Sequence, residues 1–407
     1  VGTGKTVTVN SITLANGSNG GLAANYSISP GQTTTAHISK KLLTVSSISA
    51  SNKAYDGNAI ATSTITLSGF VGSETLTSSN LSSFNNKNVG TGKTVTVNSI
   101  TLANGTNGGL ATNYSISSGQ NTTANITAKA LTVSGITASN KTYDGNNAAT
   151  LDTMSLVYNG IVAGDDFTGT YSGVFADANV GTNKTVTITP TYSGSDVSNY
   201  SVTDHATITA NIIVKNLTAT ASASNKVYDA TNSATTSLTL SGLIGTETLT
   251  TSNTSTFNNK NVGTGKTVTV NSITLANGSN GGLAANYLIS PGQTTTANIT
   301  AKALTVSGIT ASNKTYDAST FATLDVLSIS YNGLIAGDDF NGTYTGAFSD
   351  KNVGTGKTVT ITPSYTGADV GNYAVTDHST VTANITAKAL SVSGITASNK
   401  VYDGTTS

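Results

Sequence analysis

The sequence predicts an all-β protein built as a tandem array of small β-sandwich domains of the immunoglobulin-like type. Thr, Val, Ile and Tyr are abundant and alternate with period two in short runs such as Thr94–Val97. Stretches rich in Gly, Asn and Ser separate these runs and supply turns. The same motifs recur through the 407 residues at spacings of 85 to 88. β-Grasp-like units are the alternative, which we favour less because no amphipathic helix of ten or more residues is evident.

A Lys-x-Tyr-Asp motif followed by Gly or Ala marks each repeat. Two variants of the repeat share it. The first reads "TLSGFVGSETLTSSN" after the motif, and the second reads "VYNGIVAGDDFTGTY". The predicted organisation is a partial repeat at 1–40, first-variant repeats at 41–128 and 215–301, second-variant repeats at 129–214 and 302–387, and the start of a further repeat at 388–407. The motif residues of the four full repeats are Lys53, Tyr55, Asp56, Lys141, Tyr143, Asp144, Lys226, Tyr228, Asp229, Lys314, Tyr316 and Asp317.

Each repeat is long enough to be a domain, so the sequence predicts separate beads, each with a small core. The stretch from Thr123 to Ile136 contains no Pro/Gly/Ser-rich linker, which predicts that the last strand of one repeat passes almost directly into the first strand of the next. Such short connections predict an extended rod. The predicted core of the second repeat is Leu131, Val133, Ile136, Tyr143, Leu151, Val157, Val186, Ile188 and Tyr200.

Three local irregularities are predicted within this β pattern. The apolar positions change parity near Asn98, which predicts a bulge of one extra residue. Pro190 and Pro363 fall near the same point in the second variant and predict a strand edge or end. A single helical turn is expected at 163–166.

Composition excludes several classes of function. The chain carries no arginine and has a formal net charge of zero, which argues against nucleic-acid binding. It has no cysteine, so disulfides and thiolate chemistry are absent. No apolar run is long enough to span a bilayer. The stretch "GTGKT" at 90–94 ends like a phosphate-binding loop, but Lys87 stands where that loop needs glycine, and a strand pattern follows instead of a helix.

The Lys-x-Tyr-Asp motif is predicted to be structural. We expect its aspartate to cap backbone N–H groups in a turn while its tyrosine packs in the core; the alternative is a calcium site at the aspartate. Because Ala230 and Ala318 replace the glycine, a positive φ is predicted not to be required there. Lys53, next to Asn52, is expected to be solvated, which disfavours a Lys–Asn isopeptide crosslink.

Other candidate sites are predicted to be solvated surface. The acidic pairs Asp165, Asp166, Asp338 and Asp339 could bind calcium together with Asp177 or Asp350, although a solvated turn is favoured. His37, His205 and His378 lack zinc-ligand spacing and are predicted on a late strand surface. Interchangeable histidines do not make one convergent triad, so the sequence predicts no enzyme and no cofactor.

The motif, the Gly-Asp-Asp or Gly-Ser-Glu turn, the Asn-Val-Gly-Thr-Gly-Lys turn and the late Asn-Tyr pair together resemble YDG-type repeat domains. Such domains occur in large bacterial surface adhesins similar to filamentous haemagglutinins. The resemblance covers essentially the whole chain and implies an exported stalk, extracellular and Gram-negative, with no catalytic residues. The implied partners are further repeats of the same chain. Binding of glycans or of other copies of the chain is the alternative.

Overall fold

The computed structural model describes residues 1–407 and confirms the all-β prediction. Apart from strands, it contains only five single turns of 3-10 helix, none of which is long enough or apolar enough to cross a membrane. Each turn comes directly before the tyrosine of an Asn-Tyr pair, whose backbone N–H bonds back to the first residue of the turn. The turns are Ala23–Asn25, Ala111–Asn113, Val197–Asn199, Ala284–Asn286 and Val370–Asn372.

The strands up to residue 213 fall into the partial repeat and the first two full repeats. The partial repeat contains β1 (Gly2–Thr8) and β2 (Thr33–Ile38). The first full repeat contains β3 (Lys41–Leu42), β4 (Thr44–Ala50), β5 (Lys53–Ala54), β6 (Ile60–Ala61), β7 (Ser63–Ser68), β8 (Leu76–Phe84), β9 (Gly90–Asn104), β10 (Tyr114–Ser115) and β11 (Asn121–Thr127). The second contains β12 (Lys129–Ser134), β13 (Thr137–Ala138), β14 (Lys141–Thr142), β15 (Ala148–Ala149), β16 (Leu151–Asp152), β17 (Val157–Asn159), β18 (Thr168–Phe175), β19 (Gly181–Ser193), β20 (Tyr200–Thr203) and β21 (Thr207–Ile213).

The third and fourth full repeats follow the same plan. The third contains β22 (Lys215–Asn216), β23 (Thr218–Ala223), β24 (Lys226–Val227), β25 (Ser233–Ala234), β26 (Thr236–Ser241), β27 (Leu249–Phe257), β28 (Gly263–Asn277), β29 (Tyr287–Leu288) and β30 (Thr294–Thr300). The fourth contains β31 (Lys302–Ser307), β32 (Thr310–Ala311), β33 (Lys314–Thr315), β34 (Phe321–Ala322), β35 (Leu324–Asp325), β36 (Ser330–Asn332), β37 (Asn341–Phe348), β38 (Gly354–Thr366), β39 (Tyr373–Thr376) and β40 (Thr380–Thr386).

Two β-layers make up each repeat. The larger layer of the first repeat is a five-stranded sheet in the order β5-β11-β9-β8-β6, and the second, third and fourth repeats have equivalent sheets. Its pairs are antiparallel except at one edge, where β5 runs parallel to β11. The smaller layer of the second repeat places β12 between antiparallel β17 and parallel β20. No helix lies across either layer, so the units are sandwich-like and not β-grasp-like.

The predicted bulge and the predicted edge prolines are confirmed, whereas the helical turn at 163–166 is not. Asn98 is the extra residue of β9, because pairing steps from Leu81–Ser99 to Ser82–Val97. Pro190 lies beyond the point where β19 stops pairing with β21, so its missing N–H faces no partner strand. Residues 163–166 form a turn instead of a helical turn, with Gly164 at a φ of 90°.

The predicted core positions of the second repeat are buried or half-buried, with one exception. Val157 is 48% exposed, so its prediction was wrong. It belongs to β17, the edge strand of a three-stranded sheet, and the neighbouring Tyr158 packs inward instead. Sequence periodicity identified the strand but not which of its faces is covered.

The chain divides into two compact units, and within each unit the core is continuous from one repeat to the next. The first unit is Val1–Lys141 with Asn146–Ile212, and the second is Thr142–Gly145 with Ile213–Ser407. In the first unit, one cluster joins buried residues of the first repeat to Leu131, Phe167 and Tyr200 of the second. Neighbouring repeats therefore share buried residues across their junction, in addition to clusters such as Val133, Ile136 and Ile188 that belong to one repeat. Only Ala128 separates β11 from β12, and such a short connection holds the two apolar sets against each other.

Candidate functional site

The lysine of the Lys-x-Tyr-Asp motif closes a turn. Lys53 Nζ donates to Asp56 Oδ1 at 2.7 Å and to the backbone carbonyls of Asn58 and Ile60 at 2.9 and 3.0 Å. It lies 5.8 Å from the centre of the Phe84 ring, and its side chain is only 19% exposed. Lys53 is therefore not solvated, contrary to expectation. Four oxygen atoms surround its ammonium group at this half-buried position.

The aspartate of the same turn remains an ion-pair partner. Asp56 Oδ1 also accepts a hydrogen bond from the backbone N–H of Asn58 at 3.2 Å. Burial acts to raise the pKa of Asp56, but the hydrogen bond from Lys53 outweighs it and leaves that pKa below its ordinary value. Asn58 Oδ1 lies 3.0 Å from Lys53 Nζ. A crosslink to this amide would need a protonated acid beside it, whereas the lowered pKa of Asp56 favours the ionised carboxylate.

The glycine of the motif adopts a left-handed conformation, and so does the alanine that replaces it. The φ angles are 82° at Gly57, 79° at Gly145, 60° at Ala230 and 68° at Ala318. The prediction that a positive φ is not required at this position was therefore wrong. Because a Cβ destabilises this conformation by about 1 kcal/mol, the two alanines are strained. The surrounding turn fixes the backbone whichever residue occupies the position.

The tyrosine of the motif reaches out of its own repeat. Tyr55 is 1% exposed, and its hydroxyl donates to Asp165 Oδ2 of the second repeat at 2.8 Å. Tyr200, from the Asn-Tyr pair, donates to the same oxygen at 2.5 Å and accepts a bond from the Val162 N–H at 2.9 Å. The two rings meet edge to face at 5.6 Å between centroids. One carboxylate thus joins a tyrosine from each repeat.

A lysine and a second aspartate complete this cluster. Lys87 Nζ lies 3.0 Å from Asp165 Oδ1 and 2.9 Å from Asp196 Oδ1. The Asp165 side chain is 3% exposed and that of Asp196 is 12% exposed, whereas Lys87 keeps 37% of its surface in solvent. Lys87 also lies 5.8 Å from the centre of the Tyr55 ring. Two shielded carboxylates therefore share one ammonium group.

A buried asparagine adds a backbone contact beside the cluster. Asn199 is fully buried, and its Oδ1 accepts a bond from the Val89 N–H of the first repeat at 2.9 Å. Its Nδ2 donates to Asp196 Oδ1 at 3.3 Å. Because the amide accepts from one repeat and donates within the other, it fixes their alignment at this point.

We call this arrangement the aspartate cluster, and the second unit contains a copy of it. Its members are Tyr55, Lys87, Asp165, Asp196 and Tyr200 in the first unit and Tyr228, Lys260, Asp338, Asp369 and Tyr373 in the second. In the copy, Tyr228 donates to Asp338 at 3.1 Å and Lys260 lies 2.9 Å from Asp369. The Val262 N–H donates to Asn372 at 2.9 Å. The residue pairs recur, but Tyr228 and Tyr373 donate to different oxygens of Asp338, whereas the tyrosines of the first unit share one oxygen.

The second unit also contains a simpler arrangement, which we call the glutamate cluster: Tyr143, Glu247 and Tyr287. Tyr143 donates to Glu247 Oε1 and Tyr287 donates to Glu247 Oε2, each at 2.6 Å. The two rings are again edge to face, 5.3 Å apart. Each oxygen of the Glu247 carboxylate accepts a hydrogen bond from one tyrosine. The contacts of this carboxylate do not include a lysine.

The clusters hold their protonation states across a wide pH range. Burial, followed by hydrogen bonds to the carboxylates, raises the pKa of Tyr200 and that of Tyr287 to about 12. For Asp165, burial acts to raise the pKa, but hydrogen bonds from Tyr200 and Lys87 outweigh it and lower the pKa. The bond to Asp196 is the main cause of the raised pKa of Lys87. These directions favour neutral Tyr200 and Tyr287, an ionised Asp165 and a charged Lys87.

The acidic residues considered for calcium are engaged by protein donors. Asp165 and Asp338 are the central acids of the two aspartate clusters. Asp166 and Asp339 accept backbone N–H bonds from Ser195 and Ala368, each at 2.9 Å. Asp177 and Asp350 instead pair with Lys184 and Lys357. Residues 1–407 contain no group of three or more His, Asp or Glu side chains placed to hold a metal ion.

The other candidate motifs lie away from the clusters. Residues 90–94 begin β9, and the Gly92 N–H donates to Asn125 Oδ1 at 2.7 Å, so the "GTGKT" stretch is a turn entering a strand. His37, His205 and His378 are all exposed. Sequence reasoning did not identify Lys87, Asp196 or Asn199 as site residues. The signal that could have found them is the presence of lysine at 87 and 260 together with aspartate at 196 and 369.

Comparison with known proteins identifies the repeats. The family model for the YDG domain matches residues 39–124, 127–210, 213–297 and 300–382. A search of curated proteins gives no significant match. Among solved structures, the chain is similar to the crystal structure of Drosophila N-cadherin EC1-4 at 9% identity and a TM-score of 0.23, over 78% of this chain and 85% of that one. Since the family model covers most of its length, the chain belongs to the YDG domain family, in four tandem copies.

Proposed function

We propose that this chain is a structural segment of an extracellular adhesin on the surface of a Gram-negative bacterium, of the filamentous haemagglutinin-like kind. In this proposal the tandem YDG domains form a stalk that holds a binding region away from the cell. The observation that carries the proposal is the continuity of the core between neighbouring repeats within a unit. A chain selected only to tether a binding region could use flexible linkers instead.

The aspartate cluster supports a mechanical role because it is complete only when two repeats are in place. Separation of the repeats would leave Asp165 and Tyr200 without the donors and packing that Tyr55 and Lys87 supply. Separation would also leave two shielded carboxylates without their cation, which destabilises the separated repeats. Bending at this point is therefore opposed by an energetic penalty in addition to the loss of apolar contact.

The composition suits a location outside the cell. Charged residues make up only 9% of the chain and cysteine is absent, so the solvated surface consists mainly of Thr, Ser, Asn and Gly. Such a surface does not depend on the redox state of its surroundings. In the adhesin that we propose, recognition of glycans or of other cells belongs to regions other than these repeats.

Small-angle scattering on residues 1–407 tests the stalk proposal. Four full repeats of this size predict a maximum dimension on the order of 150 Å. A variant carrying Asp165→Asn and Asp338→Asn should give a shorter, broader distance distribution, because both aspartate clusters are weakened. A compact particle for the unmodified chain would contradict the stalk.

Protease accessibility on intact source cells tests the location, and glycan binding by the chain itself would favour the alternative of a binding module.

A further inference from the structure

At one position of the repeat, the residue type correlates with the variant of the repeat that follows. It is occupied by Lys87, Ala178, Lys260 and Lys351 in the four full repeats. The repeats that follow Lys87 and Lys260 are of the second variant, whereas the repeat that follows Ala178 is of the first. The correlation therefore links a residue in one repeat to the variant of the next.

The acids of the following repeat vary in the same way. Second-variant repeats carry an aspartate at the residue preceding the 3-10 turn, as at Asp196, and first-variant repeats carry a leucine there, as at Leu283. The turn residue that contacts the tyrosine pair is Asp165 in the second variant and Glu247 in the first. A lysine at position 87 or 260 is thus followed by a repeat that contributes two acids to the cluster, and the alanine at position 178 by a repeat that contributes one.

Charge balance gives this correlation a physical cause. In the aspartate cluster, Asp165 and Asp196 with Lys87 leave one excess negative charge. In the glutamate cluster, Glu247 alone leaves the same single negative charge, which two tyrosine hydroxyls satisfy. Two shielded carboxylates without a lysine would repel each other, and a lysine facing a leucine would lose its strongest partner.

The fourth repeat follows the same rule. It carries Lys351, and residues 388–400 match 129–141, the start of a second-variant repeat, at twelve of thirteen positions. Lys351 is thus followed by a stretch that resembles the start of a second-variant repeat, as Lys87 and Lys260 are.

We propose that the residue at positions 87, 178, 260 and 351 selects the variant of the repeat that docks on it. Lysine specifies a second-variant repeat with its two aspartates, and alanine specifies a first-variant repeat. This inference does not depend on the stalk function, since it concerns the order of repeats and not their reach.

A double-mutant cycle in the full chain tests the selection. The variants are Lys87→Ala, Asp196→Leu and the two combined, so that the double variant has, at these two positions, the alanine and leucine found at Ala178 and Leu283. The readout is hydrogen exchange at the Val89 amide, which is protected by its bond to Asn199. We expect each single variant to lower protection on the order of tenfold, and the double variant to lower it by much less than the product of the two.

Two comparisons within the same molecule make the result decisive. The Val262 amide in the second unit reports the intact copy and should keep its protection in all three variants. Lys351→Ala is the matched control, because Lys351 is exposed, and it should change protection less than twofold within its own repeat. Independent, multiplicative effects of Lys87→Ala and Asp196→Leu would overturn the proposal. So would an equal loss from Lys351→Ala, because the lysine would then act within its own repeat.

Discussion

The aspartate cluster of the first unit and the glutamate cluster of the second each contain an equivalent pair of tyrosines, which donate to the carboxylate in different ways. In the first, Tyr55 and Tyr200 share one oxygen of Asp165, and the other oxygen faces Lys87. In the second, Glu247 gives one oxygen to each tyrosine. In the copy of the aspartate cluster, Tyr228 and Tyr373 donate to different oxygens of Asp338, as the tyrosines of the glutamate cluster do. The lysine and the second aspartate are therefore the difference that both aspartate clusters share.

The difference shows which part of the contact is general and which is specific. The edge-to-face tyrosine pair and its central carboxylate occur in all three clusters, so they provide the common adhesion between repeat elements. The lysine and the second aspartate occur only in the aspartate clusters and carry charge. Charge distinguishes partners more strongly than apolar contact does.

The largest expected effect comes from Asp165→Asn. The amide has one oxygen for three donors, and its NH₂ group would face the Lys87 ammonium. We expect local stability to fall by about 3 kcal/mol, because buried donors lose a charged acceptor. Hydrogen exchange at the Val162 amide, which donates to Tyr200, measures this loss. Asp338→Asn in the second unit is the matched variant, and unchanged exchange in both would contradict the role of the carboxylate.

Acid should reproduce part of this loss. The pKa of Asp165 is lowered in the folded protein, against about 3.9 in an unfolded chain. The stability that its ionised form contributes is therefore complete above about pH 4 and is lost as the pH falls through the folded value. Urea unfolding followed by tyrosine near-ultraviolet circular dichroism should show a falling midpoint below pH 4. The Asp165→Asn variant should show a shallower decline, and equal slopes would be evidence against this assignment.

Gly57→Ala should be next in size. Its Cβ would lie 2.7 Å from Val162 Cγ1, and the residue has a φ of 82°. Gly145→Ala is the matched variant, since its Cβ would lie 2.8 Å from Ile244 Cγ2. We expect each to destabilise its contact by about 2 kcal/mol through strain and overpacking. Thermal unfolding should show the loss for both, whereas tolerance of either alanine would mean that the neighbouring side chain can move away.

Glu247→Gln should have a smaller effect than Asp165→Asn. Tyrosine hydroxyls both donate and accept, so Tyr143 and Tyr287 can adjust to an amide with one oxygen and one NH₂ group. We expect a loss of about 1 kcal/mol, the difference between a charged and a neutral acceptor. Exchange at the Ile244 amide, which donates to Tyr287, is the measurement. A loss as large as that of Asp165→Asn would mean that the lysine is not what separates the two clusters.

Local patterns of the sequence predicted the strands, the repeats and the bulge at Asn98, because period-two alternation and its interruption are local signals. The clusters could not be predicted in this way. Tyr55 is 110 residues from Asp165 and 141 from Asp196, and the strand pattern does not reveal which repeat faces will meet. The conformation at Ala230 was predicted wrongly for a related reason. Residue preference favours a negative φ there, but the turn closed by Lys226 fixes the backbone.

The smallest expected effect is a gain in stability when glycine replaces one of the two strained alanines, of which Ala230 is packed against the core and Ala318 is exposed. Ala318→Gly relieves a φ of 68° at an exposed position, so we expect a stabilisation of about 0.5–1 kcal/mol. Ala230→Gly relieves a φ of 60°, but Ala230 packs against the shared core of the second unit. The lost methyl contact should offset part of the gain at Ala230. Thermal unfolding of both variants separates the two effects. An equal gain would mean that the Ala230 methyl contributes nothing to the contact, and a loss at Ala318 would mean that the alanine is not strained.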